Sequence, residues 1–243
     1  MGRPGTGLVA GACLLALISA ARADPPATIA LTFPPDLAPD VEALPRLPAD
    51  SAAMTRINAR LAELDRDMLD FVLSCNSDPP RSFVERQVDV VFSGPVFLSI
   101  LTLNGSYCPG AAHGNHYALS FTFDLLTGDA TSWPVLFPAD LQDPARRPHR
   151  PDYIIGAPAL TDVYLSFATA MDGECRAAIT GDNRGTFRVW PSAQDRGLVL
   201  MPTGLAHADR ACADPVALPL KTLTELDFAP DLLRALDDPL PLP

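Results

Sequence analysis

From Ser51 the chain repeats at the helical period. Met54, Ile57, Leu61, Leu64, Met68 and Phe71 recur at intervals of three and four, while Arg56, Arg60, Glu63, Asp67 and Asp70 fall off that stripe. The spacing predicts one amphipathic helix, capped by Asp50 or Ser51, with its apolar side laid on a sheet. The period then drops to two. Val84, Arg86, Val88, Val90 and Phe92 alternate with Glu85, Gln87 and Asp89, which predicts a strand. Ser93-Gly94-Pro95 turns the chain into a more apolar second strand from Val96 to Leu103. Residues 104–115 read as a glycine-containing loop. Tyr117, Leu119, Phe121 and Phe123 then alternate with Ala118, Ser120, Thr122 and Asp124, a third strand closed by the turn Leu126-Thr127-Gly128-Asp129. The three strands make an antiparallel meander with one buried face.

The flanks are less regular. Residues 24–49 are Pro-rich and read as an extended arm in which Ile29 to Phe33 adds at most one strand. Residues 138–151 are rich in Pro and Arg, a surface excursion. Leu160, Val163, Tyr164, Phe167 and Met171 suit a short amphipathic helix. Thr186 to Trp190 and Leu198 to Met201 form a hairpin around Ser192 to Gly197, and Val216 to Leu220 a last short strand. Residues 227–243 read as a Pro- and Asp-rich tail. The fold class expected is α+β, a two-layer arrangement with an antiparallel sheet packed against one or two helices. The domain proper spans residues 50–226.

Composition adds where the domain works. The 243 residues carry 18 Lys and Arg against 29 Asp and Glu, a net charge of −11, and 48% of them are apolar. That is too apolar for a disordered chain and too acidic to neutralise phosphates on nucleic acid. Arg3, the uncharged run Leu8 to Ala20 and the A-x-A site Ala21-Arg22-Ala23 read as a signal peptide over residues 1–23, too short to span a membrane. A lipoprotein reading through Cys13 is the poorer one, because cleavage before it leaves too short an apolar run. Loss of Arg3 and Arg22 with the leader takes the net charge from −11 to −13. The protein is expected in the periplasm or outside the cell, with no membrane span.

Four cysteines remain: Cys75, Cys108, Cys175 and Cys212. An even number in an exported chain predicts two disulfides. The absence of any C-x-x-C pair argues against a metal site. Three connectivities are open, and Cys75–Cys108 with Cys175–Cys212 is favoured because it staples each half locally.

No G-x-S-x-G elbow, H-E-x-x-H or Walker loop occurs. What remains is the stretch from Ser106 to Tyr117. His113 and His116 with Asp124 compose a two-His, one-carboxylate set on paper. On a strand continuing from His116, however, Asp124 lies about 26 Å away. His113 is better read as a loop histidine whose ring nitrogens bond backbone groups of the turn. Asp172 with Glu174, and Asp182 with Asn183, read as solvated turns. His149, in the basic run Arg146 to Arg150, reads as a solvated loop. Neither a cofactor nor a metal is expected.

The run from Ser99 to Phe137 resembles the central motif of the RsiV/PdaC-type extracytoplasmic domain, through Tyr107, Gly110, His113, Asn115, Phe123, Asp124, Leu125, Thr127, Gly128, Leu136 and Phe137. Upstream, Arg56-Ile57-Asn58 resembles that family's first helix, and residues 187–204 its last hairpin. The resemblance implies a two-layer α+β domain outside the membrane. In RsiV-like anti-sigma factors it senses lysozyme by binding it; in PdaC-like peptidoglycan deacetylases it accompanies the catalytic domain without being the catalyst. No transmembrane or deacetylase segment accompanies it in this chain. The expected function is therefore non-enzymatic binding to a cell-wall glycan (peptidoglycan) or to a wall-acting basic protein such as lysozyme. Tyr107, Gly110, His113, Asn115, His116 and Asp124 are the candidate binding residues. An envelope hydrolase using the His113 loop, or an envelope assembly factor, is the alternative.

Overall fold

The computed structural model describes residues 29–75, 82–145, 152–181 and 185–242. The residues read as a signal peptide, Cys13, the basic run around His149 and the pair Asp182 and Asn183 lie outside them. Helix α1 (Ala52–Cys75) starts where Ser51 caps it, the hydroxyl accepting from the Met54 amide at 3.1 Å. The meander follows as β1 (Phe83–Ser93), β2 (Phe97–Tyr107) and β3 (Asn115–Asp124), antiparallel throughout. Ile57 and Leu61 of α1 bury against Leu98, Ile100 and Phe123, as the two periods require.

Two expectations about the meander change. Strands β2 and β3 extend further toward each other than expected, because Asn104 to Ser106 pair with Arg86 to Val84 on one side and with Tyr117 to Asn115 on the other. A bulge also shifts the register between Val90 and Phe92. Val84 to Val90 keep their alternation toward α1, but Phe92 lands opposite Ser99 on the other face of the sheet and enters a second core.

That second core belongs to a second antiparallel sheet, where the sequence reading had a single one. Its order is β4 (Tyr153–Ile155), β5 (Thr186–Ser192), β6 (Gly197–Pro202) and β7 (Val216–Pro219). Phe187 and Val189 on one face of β5 pack with Leu160 and Tyr164 of α3 (Pro158–Phe167), and the short helices α2 (Trp133–Leu136) and α5 (Leu220–Glu225) bury Trp133 and Leu223 in the same core. Helix α4 (Gly173–Thr180) occupies residues read as a solvated turn; Asp172 caps it, its Oδ1 accepting from the Cys175 amide at 2.8 Å. The supposed tail 227–243 contains α6 (Pro230–Asp237), whose Leu232, Ala235 and Leu236 are fully buried in this core at helical spacing. The N-terminal arm is likewise no loose appendage. Leu44 and Leu47 enter the first core, and instead of a strand the arm forms single bridges, Thr32 to Arg46 and Val41 to Arg86. Both expected disulfides are present, Cys75–Cys108 and Cys175–Cys212. No helix among the described residues is long and apolar enough to cross a membrane.

Candidate functional site

The two sheets touch along part of their length and part along the rest. They are joined where the Ser120 hydroxyl donates to the Val189 carbonyl at 3.0 Å and the Ala193 amide to Val91 at 2.9 Å. Beyond that seam a groove of about 940 Å³ opens between them. Strand alternation sets its walls. From the first sheet come the side chains on the face opposite α1: Glu85, Gln87, Leu103, His116 and Ala118. From the second comes one cross-strand row, because Tyr153 pairs with Arg188 and Arg188 with Met201.

Glycine shapes the first wall. Gly105 stands between Glu85 and His116 in the register of the three strands. A Cβ there would meet the Glu85 carboxylate at 2.2 Å. The vacant position lets Glu85 reach across to His116, Oε1 to Nδ1 3.8 Å, in an exposed pair.

Arg188 dominates the second wall. Its side chain is 6% exposed, and Nε donates to Asp152 Oδ2 at 3.0 Å while Nη2 donates to the Tyr153 hydroxyl at 2.9 Å. The guanidinium carbon also stands 5.0 Å from the centre of the Tyr153 ring. Nη1 has no partner among the described residues. At the end of the groove the 3₁₀ turn His207–Cys212 approaches the loop between β2 and β3. Arg210 Nη1 donates to Asn115 Oδ1 at 2.5 Å, and the rings of His113 and His207 stack with centroids 3.8 Å apart. Each of these segments is anchored by a disulfide, the loop through Cys108 and the turn through Cys212.

Asn115 and His116 thus line the groove, and Tyr107, Gly110 and His113 belong to the strand end and loop beside it. His113 is exposed, and its Nδ1–H donates to the neighbouring Gly114 carbonyl at 2.9 Å, the loop role expected of it. Asp124 sits at the far end of β3. Its Oδ1 accepts from the amides of Leu126 and Thr127 at 2.7 and 3.1 Å, which makes it a turn-former. The structure therefore does not bring His113, His116 and Asp124 together, and no cluster of three or more His, Cys, Asp or Glu placed to hold a metal occurs among the described residues. Sequence reading missed Glu85, Tyr153, Arg188, Met201 and Arg210. Arg188 alone left a signal: a charge between Phe187 and Val189, in a strand otherwise buried.

No family model matches the chain, and no curated protein does. Similar solved structures include a DUF3298 family protein from Pseudomonas aeruginosa, 16% identical, with 77% of this chain and 84% of that chain covered at a TM-score of 0.48. Another is a member of the same family from Bacteroides fragilis, 13% identical, with 77% and 74% covered at a TM-score of 0.45.

Proposed function

We propose that this protein is an extracytoplasmic binding domain without catalysis of its own, and that the groove between its sheets holds a segment of cell-wall glycan. The lining of the groove carries the reading. Leu103, Ala118 and Met201 offer apolar surface, while Gln87, Asn115, Tyr153 and Arg210 surround it with donors and acceptors. Sugars present that same division, apolar C–H faces edged by hydroxyls. Two disulfides suit an oxidising compartment, and the leader-like run ending at Ala23 suits export. The separation of Asp124 from the histidines removes the arrangement on which a hydrolase was conceived.

Titration with the soluble disaccharide of N-acetylglucosamine and N-acetylmuramic acid tests the reading. Binding is expected, and Ala118→Trp, which fills the groove from its floor, is expected to weaken it about ten-fold or more. Equal binding by Ala118→Trp and the parent would place the glycan elsewhere and overturn the assignment. A second reading, a basic wall-acting protein such as lysozyme as the partner, is favoured by the net charge of −11.

A further inference from the structure

Within this reading of the groove as a glycan site, we infer that the ligand is an acidic sugar, anchored by a carboxylate held between Arg188 and Arg210. Three observations converge on that chemistry. The first is the unspent donor on Arg188. Nε and Nη2 are engaged by Asp152 and Tyr153, which lock the guanidinium plane, and Nη1 keeps its hydrogens for the groove that Arg188 lines. Although the side chain is only 6% exposed, Nη1 is not sealed from solvent as a buried unpartnered atom, so its hydrogens can be met by an acceptor lying in the groove.

The second is Arg210. An amide oxygen, Asn115 Oδ1, orients it, and among the described residues no carboxylate lies within ion-pair distance of it. The disulfide at Cys212 fixes the turn that carries it. The third is the balance of charge. Arg188 and Arg210 face the groove against the single carboxylate Glu85, on a chain whose net charge is −11. With Asp152 counted beside Arg188 and Glu85 against Arg210, the formal charge around the groove balances to zero on an acidic chain, so an anion meets less repulsion there than the net charge alone implies. Asp152 offsets the charge of Arg188 and leaves it to act as a directional donor; Arg210 supplies the charge not held in an ion pair. Charge-assisted bonds of guanidinium to carboxylate are among the stronger polar contacts available to such a site.

The test compares the disaccharide of N-acetylglucosamine and N-acetylmuramic acid, whose lactyl ether bears a free carboxylate, with the same disaccharide reduced there to the alcohol. The parent protein is expected to bind the carboxylate form at least about ten-fold more tightly, with the difference shrinking as salt is raised. Arg210→Gln, an exposed substitution that leaves Arg188 and its partners in place, is expected to reduce that ratio to a few-fold with no change in thermal midpoint. Equal affinity for the two disaccharides would overturn the carboxylate anchor while leaving the groove a glycan site. Undiminished discrimination by Arg210→Gln would overturn the two-arginine anchor. If the folded parent binds neither sugar, the glycan reading falls, and the anchor with it.

Discussion

A carboxylate on the buried side of α1 holds three parts of the chain at once. Asp65 accepts from the Leu44 amide at 3.1 Å, from Arg46 at 2.6 Å and from Arg86 at 2.5 Å, so arm, helix and strand β1 meet at one side chain. Arg86 is itself 3% exposed. Removing the carboxylate strands a buried guanidinium, so Asp65→Ala should lower unfolding free energy by about 3–5 kcal/mol in urea titration. Arg86→Met in that background should restore part of the loss. Tyr164 gives a pH dependence. Burial first, and the nearby Asp214 carboxylate second, push its phenol well above the ordinary range near 10. The unfolded phenol ionises first, so the protein should keep its stability below about pH 10 and lose it as pH rises further. Urea midpoints measured across that range should fall, and Tyr164→Phe should flatten the slope. His113 carries no comparable weight, because its ring is exposed and its bond is to the next residue.

Elements were legible where their own residues settle them. The stripe of α1 and the alternation of β1 as far as Val90 survive in the structure, because each reports a face turned toward the first core. The bulge before Phe92 escaped, since Val90-Val91-Phe92 is uniformly apolar and either face accepts it. Helix α4 escaped because Asp172 and Glu174 look like a turn until Asp172 is seen capping the Cys175 amide. Of the three connectivities open to the sequence, the favoured local one is present, joining cysteines 33 and 37 positions apart. Replacing Cys175 and Cys212 by Ser should cost about 4 kcal/mol on the chain-entropy argument. The same change releases the turn bearing Arg210 from α4, so it should weaken groove binding more than Cys75→Ser with Cys108→Ser. Thermal unfolding and sugar titration of the two double variants check both statements.

The whole molecule carries a net charge of −11. Association with lysozyme should therefore be fast at low salt and slow markedly as screening shortens toward roughly 8 Å at 0.15 M. Stopped-flow association against another small protein of similar positive charge separates steering from recognition. A specific interface, which needs on the order of 1,200 Å² or more, should keep part of its affinity at physiological salt where the control loses its own. Equal binding of the two proteins would leave lysozyme an electrostatic visitor and the groove the better claim to function.

Periodicity and cysteine count sufficed for an α+β domain, for its first helix and meander, and for the two staples. These are local properties, written in residues near one another in the chain. The groove is of another kind. Glu85 meets His116 only because the register of three strands places Gly105 between them, and Arg188 meets Tyr153 only by pairing across a second sheet. Arg210 reaches Asn115 across 95 residues. No single segment records that the two sheets part beyond Ser120 and Val189. That separation follows from how two cores, one under α1 and one under α3 and α6, come to rest against each other.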